Sequence, residues 1–331
     1  MKKKYKSKSR TQIENEILKP ILAVCDNVAE EGKLIWTLPF MKHKGNASAY
    51  NYSQKTFYKG ISNQLHLGCR MMLEGWEHNA WLTYNGAKAL GGYVPHEAKG
   101  KGAVVHFNKF VKRDELDRDG CVVVDSEGNP KVKIIPFLKS FSVFNVAQCK
   151  DIPMPEKKKE EKFKPLKALK RAEAIQKAYE LQEKNLKVTI SDKVVPRYDV
   201  TKDEVQCSSM RNHVEVAKKN GQSVNDGKQH YYSSLFHEDG HSAGHKKRLN
   251  LLEDNFRFGD HAYSKEELRA EMTSAILCLE AGLNSEVVFN NTKAYCQGWA
   301  KRLKNDPKWL MWASSKSLQT ANYILGKHNE K

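Results

Sequence analysis

His230-Tyr-Tyr-Ser-Ser-Leu-Phe-His-Glu-Asp-Gly-His-Ser-Ala-Gly-His245 spaces its apolar residues Tyr231, Leu235 and Phe236 as a helix does, and contains an HExxH pattern from His237 to His241. Residues four apart on a helix share one face, so His237 and His241 are placed to chelate a single metal ion. Glu238 lies about 100° round the helix. It can reach a water on the metal rather than the metal itself, and accept that water's proton as a peptide carbonyl is attacked. Gly240 disfavours a helix by about 1 kcal/mol relative to alanine, which suggests that something else requires its small size. Gly244 reads as the helix end, which makes His245 a supporting residue rather than a ligand. Lys247 stands where the longer HExxHxxGxxH pattern would need its third histidine.

A third ligand must come from another element. Ser264-Lys-Glu-Glu-Leu-Arg-Ala-Glu271 opens a helix with Leu268, Met272, Ala275, Ile276 and Leu279 as its apolar stripe. Glu267 and Glu271 share a face beside that stripe. On spacing alone either could bind the metal while the other orients a ligand histidine. Ser264-x-x-Glu267 also matches a capping box, which would tie Glu267 to its own helix terminus. Tyr263 is a further candidate, as a donor to the oxyanion.

The rest of the chain sets bounds on what surrounds this site. Its 331 residues carry 56 Lys+Arg against 39 Asp+Glu, a formal charge of +17, with 40% hydrophobic residues and a mean hydropathy of −0.68. No apolar run approaches the ~18 residues of a membrane span, and the basic start MKKKYKSKSR is followed by no apolar secretory core. A strongly basic chain cannot imitate DNA. Seven cysteines lie far apart with no CxxC, which points to free thiols in a reducing cytoplasm. The charge is uneven: residues 1–150 hold 24 basic and 14 acidic side chains (+10), residues 151–195 hold 12 and 8 (+4), and residues 196–331 hold 20 and 17 (+3). A polyanion would be drawn to the first part.

The expected organisation is a first domain over 1–150, a charged linker and helix over 151–195, and a second domain over 196–331. The overall class is α+β. In the first domain, helices over 11–31 (interrupted by Pro20), 61–74 and 83–90 accompany strands over 103–110, 121–125, 131–135 and 139–146, and these assemble into a mixed α/β unit with a curved antiparallel sheet. Asp125-Ser-Glu-Gly-Asn129 is a hairpin signal. The second domain reads as mainly helical, with helices over 205–220, 229–243, 264–281, 287–305 and 307–326.

Basic and aromatic residues interleave in the first domain. Trp36, Lys42, Lys44, Tyr52, Lys55, Tyr58, Lys59 and Trp81, with the basic turn at Lys99 and Lys101, are the candidates for contact with unpaired nucleic acid. Aromatic rings would stack on bases and lysines would track phosphates. No helix-turn-helix or zinc-finger pattern supports a duplex target.

Three C-terminal stretches, YYSSLFHEDGHSAGHKKRL, FGDHAYSKEELRAEMTSAILCLEAGL and YCQGWAKRLKNDPKWLMWASSKSLQTANYIL, run in the order seen in ArdC-like antirestriction proteins. FYKGISN (57–63), WLTY (81–84), LGG (90–92) and FSVFNV (141–146) extend the resemblance into the N-terminal half. The resemblance implies a single-stranded-DNA-binding domain followed by a zincin-like metallopeptidase domain, carried by plasmids and phages and protecting incoming DNA from restriction. It places the HExxH on His237, Glu238 and His241, and the family's EELxAE element on Glu266, Glu267 and Glu271. It favours Glu267 over Glu271 as third ligand, and implies Zn2+ as cofactor, with Mn2+ or Co2+ as alternatives. The implied partners are single-stranded DNA and an unidentified host protein, with restriction-system components as candidates. Asp239-Gly240 departs from the Leu-Ala more usual in the family. The competing expectation is a non-enzymatic single-stranded-DNA binder whose metal site is structural or vestigial.

Overall fold

The computed structural model describes residues 9–40, 48–117, 120–156, 164–252, 261–289 and 293–327. The chain begins with α1 (Arg10–Glu30), capped by Ser9 in a reciprocal box with Gln12. Its apolar positions 13, 17, 21, 24 and 28 all face inward, and the helix runs through the buried Pro20 without a break. A 3-10 turn (Ile35–Phe40), β1 (Tyr50–Asn51), β2 (Thr56–Phe57), α2 (Ile61–Leu73), β3 (Ala80–Leu82), α3 (Tyr84–Ala89), β4 (Ala103–Asp114) and β5 (Val132–Asn145) follow. These strands form one sheet in the order β2-β1-β3-β5-β4, antiparallel except between β1 and β3. Its longest pairing, β4 with β5, keeps register from Ala103↔Val143 out to Asp114↔Val132. Between them the expected strand over 121–125 makes only isolated bridges, Leu116↔Val122 and Val124↔Pro130. The Asp125–Asn129 turn does form, with the Asp125 carboxylate accepting from the amides of Glu127 and Asn129.

The C-terminal half comprises α4 (Pro165–Gln182), β6 (Lys187–Ile190), β7 (Arg197–Asp199), β8 (Glu204–Cys207), α5 (Met210–Lys219), α6 (Val224–Ala243), α7 (His261–Ala281), α8 (Ser285–Val288), α9 (Lys293–Asn305) and α10 (Lys308–Ile324). A small sheet, β6-β8-β7, was not expected. Residues 205–207, assigned by spacing to a helix, are its central strand, and the helix starts only at Met210, capped by Ser209. The single helix expected over 287–305 is two, α8 and α9.

One apolar core joins elements from both ends of the chain. Ile17 and Ile21 of α1, Trp36 of the 3-10 turn, Leu65 of α2, Tyr179 of α4, Phe236 of α6, Leu268 and Met272 of α7, Trp299 of α9 and Leu310 of α10 all belong to it. Trp36 meets Trp299 edge to face, 5.2 Å between ring centres. Within the charged 151–195 stretch, α4 buries Ala168, Ala172, Gln176 and Tyr179 against this core, and the Tyr179 hydroxyl lies 2.9 Å from Ser242 Oγ on α6. Helix α6, which carries HExxH, is thus packed against α4 as well as the rest of this core.

Candidate metal centre

Helix α6 starts at Ser223, whose hydroxyl accepts the Asp226 amide while Asp226 reaches back to the Ser223 amide. Fourteen residues on, His237 and His241 stack one turn apart with their Nε2 atoms 3.2 Å from each other. Helix α7 crosses α6 at Gly240. A Cβ there would lie 3.3 Å from Ala270 Cα and 3.4 Å from its carbonyl oxygen, so the small residue is what lets the two backbones approach. Gly240→Val is expected to cost about 1–3 kcal/mol by overpacking this crossing; equilibrium denaturation in urea measures it.

That approach delivers Glu267. Its two carboxylate oxygens lie 3.4 Å from His237 Nε2 and 3.4 Å from His241 Nε2. One donor atom from each of the three residues falls within 4.8 Å of the others. Two imidazoles and a carboxylate converging on one point match the donor chemistry of a divalent-ion site with room for further ligands. Helix α7 begins at His261, so Ser264 sits inside it and the suspected capping box does not occupy Glu267. Glu271, the rival ligand, instead accepts a 2.6 Å hydrogen bond from the Tyr295 hydroxyl of α9.

The carboxylate that orients His241 is Glu266, which the spacing argument passed over. His241 Nδ1 donates to Glu266 Oε1 at 3.0 Å, which leaves Nε2 turned towards Glu267. Glu266 is held in turn by Arg269, whose side chain has no exposure at all. Arg269 Nε donates to Glu266 Oε2 at 2.8 Å, and its guanidinium reaches Thr320 Oγ1 on α10, also at 2.8 Å. The signal in the sequence was the i, i+3 pair Glu266–Arg269, which reads as an ordinary surface ion pair until burial is known.

The electrostatics follow from this crowding. Burial opposes protonation of His241, but hydrogen bonds and charge from Glu266 and Glu267 outweigh it and push its pKa up to about 10. His237 also rises, against the pull of burial, through Glu267 and Glu271. Burial would raise Glu267, yet the two histidines hold its carboxyl well below the usual carboxylate range. Without metal, histidine protons thus supply the positive charge that the carboxylates demand. The folded His241 binds its proton more tightly than an unfolded histidine near 6.5, so its stabilisation is complete below that pH and is lost as pH rises through about 10. Metal-free protein is therefore expected to melt at falling temperature from pH 7 to pH 10 and metal-loaded protein to lack this trend, as calorimetry in matched buffers would register.

Glu238 is buried to 6% exposure, and burial raises its carboxyl despite the neighbouring histidines. With His237, Glu271, His230 and Ser234 it lines a cleft of about 300 Å3. Leu34, Trp36 and Thr37 also border it, so the N-terminal half contributes to the cleft. Asp239 points the other way, into the interior. It is fully buried beside Gln176 of α4, and burial raises its pKa strongly. His245 is engaged outside the cluster, where Asp203 also binds Arg248, Lys247 and the Tyr198 hydroxyl. Tyr263 lies on α7 with its side chain outside the described residues.

The nucleic-acid candidates divide sharply. Trp36 and Trp81 have no exposure, Trp36 packing on Trp299 and Trp81 donating its indole N–H to Asn79 at 2.8 Å. A ring with no free face cannot stack on a base, so both are core residues and leave the list. Tyr52 is buried to 7% exposure, and Tyr58 is half-buried with its hydroxyl enclosed. Lys55, Lys59, Lys99 and Lys101 are exposed; Lys42 and Lys44 fall outside the described residues. Among the described residues of this half, the aromatics that face solvent are Phe57, Tyr84, Tyr93, Phe107 and Phe141. Ranking aromatics by proximity to lysines in sequence could not separate these from the core.

Residues 11–144 match the model of the N-terminal domain of anti-restriction factor ArdC, and residues 179–316 match a zincin-like metallopeptidase model. A DNA primase TraC of Escherichia coli is 31% identical over 89% of this chain, which spans only 19% of that longer protein. The uncharacterised protein y4eC of Sinorhizobium fredii is 26% identical, with 97% of this chain and 94% of that one aligned. The crystal structure of metal-free antirestriction ArdC from plasmid R388 superposes with a TM-score of 0.58 at 25% identity, covering 95% of this chain and 97% of the other. Its Mn(II)-bound form gives the same TM-score at 24% identity, covering 96% and 98%. Matched in both halves and over nearly its whole length, the chain belongs to the ArdC-like family.

Proposed function

We propose that this protein binds unpaired DNA through its N-terminal half, hydrolyses peptide bonds at the α6–α7 centre, and thereby protects incoming plasmid or phage DNA from restriction in the cytoplasm of the receiving cell. The observation that carries the reading is the convergence of His237, His241 and Glu267 beside Glu238 in an open cleft. The donor set suits zinc, and the Mn(II)-bound form of the R388 protein makes other divalent ions natural competitors. When bound, the ion supplies Lewis acidity to the substrate carbonyl and lowers the pKa of coordinated water.

The chain's own residues supply the rest. Glu238 takes a proton at its carboxylate and returns it to the leaving amine. Its burial, which raises its proton affinity, suits it to both halves of that transfer. Glu266 and Arg269 keep His241 in one tautomer.

For DNA, support comes from the +10 charge of residues 1–150, the exposed lysines and the family membership. Phosphate neutralisation releases counterions, so log K for a single-stranded oligonucleotide is expected to fall linearly with log[salt], with a slope of about −0.7 per phosphate contacted. A flat response in a fluorescence-anisotropy titration would remove the DNA half of the proposal.

A further inference from the structure

A second cleft, of about 470 Å3, lies in the N-terminal half between the β1–β2 hairpin and the segment Pro153–Glu156. Its volume falls within the ~300–1,000 Å3 of small-ligand sites. Tyr50, Tyr52 and Phe57 line it from the hairpin, with Met154 and Glu156 opposite. Lys55 sits at the turn of the hairpin with φ of 55°, a left-handed conformation that places its ammonium 3.6 Å from the centre of the Tyr52 ring. That cation therefore occupies a face of Tyr52. The Phe57 ring, 58% exposed and 6.3 Å from Tyr50, and the Met154 side chain, 54% exposed, remain available to a ligand.

Resting on the DNA-binding reading above, we propose that this cleft holds one unpaired nucleobase, packed against Phe57 and Met154, with Lys55 towards the phosphate and the Glu156 carboxylate accepting from the base's amino group. Two opposite charges flanking an aromatic slot complement a nucleotide, whose phosphate is anionic and whose base edge donates. A bare phosphate or an anionic lipid would be repelled by Glu156. A carboxylate acceptor favours bases with exocyclic amines over thymine, which sets its single ring N–H between two carbonyls. Cytosine and thymine stack similarly, so that pair isolates the hydrogen-bonding difference.

The test uses the full chain and fluorescein-labelled oligo-dC and oligo-dT of equal length at one salt concentration. Oligo-dC is expected to bind about three- to tenfold more tightly. Glu156→Gln should erase that preference, since an amide serves either base, and Phe57→Ala should weaken both ligands by about tenfold. Both side chains are exposed, so each variant should keep the parent's melting temperature. Equal binding of the two oligonucleotides, or a preference that survives Glu156→Gln, overturns the pocket while leaving DNA binding intact. Binding of neither oligonucleotide overturns the DNA reading itself.

Discussion

Glu238→Gln is expected to reduce peptide-bond hydrolysis by about 10²–10⁴-fold, the usual contribution of a general base, while leaving metal content and oligonucleotide affinity unchanged. The amide is isosteric and cannot take a proton at pH 7. The side chain belongs to neither the donor cluster nor the N-terminal cleft. A quenched-fluorescent peptide library on metal-loaded protein, with elemental analysis of the same samples, measures both quantities. The same variant separates the enzymatic account from its competitor. Undiminished protection of DNA in cells by Glu238→Gln would show that covering the DNA, rather than cutting a protein, is the protective act.

Arg269→Ala is the second large effect, and it acts on stability. The guanidinium has no solvent exposure and holds Glu266 as well as Thr320. Truncation removes the charge that does most to offset burial of the Glu266 carboxylate and leaves it buried with His241 alone, among the described residues, to balance it. Breaking a buried pair in this way costs about 3–5 kcal/mol, read out by urea denaturation. The milder Glu266→Gln keeps the volume but takes a full negative charge from His241. It should weaken metal binding by about 10–100-fold, as loss of a ligand-orienting carboxylate does. A competition titration against a chelator reports it, and affinity matching the parent would assign Glu266 to packing alone.

The pairing of His237 with His241 was legible because residues four apart on a helix share a face, which is purely local geometry, and α6 brings the two Nε2 atoms to 3.2 Å. The choice between Glu267 and Glu271 was not local. It depends on which turn of α7 meets α6, fixed by the Gly240–Ala270 approach, and on Tyr295 arriving from α9 to engage Glu271. Glu266 escaped notice for the same reason, since only burial distinguishes it from a solvated acid. In the fold, periodicity served the long elements such as α1 and α7 but failed at Glu204–Cys207. That strand is only four residues long, and although Glu204-Val-Gln-Cys207 alternates polar and apolar residues, so short a run is not separable by period from the helical spacing of the residues that follow. Trp36 and Trp81 illustrate the limit for binding residues, because a ring's identity says nothing about whether its faces are free. The +10 charge remains informative because charge on a chain this basic must lie largely at the surface.

A crystal structure of the protein with zinc, using anomalous scattering at the zinc edge, reads the ligand set without intermediates. A single strong peak is expected on α6–α7, about 2.0–2.2 Å from His237 Nε2, His241 Nε2 and a Glu267 oxygen, with a remaining position open to the cleft and Glu271 still bound to Tyr295. A peak ligated by Glu271 in place of Glu267, or no peak between the two histidines, would contradict this ligand set.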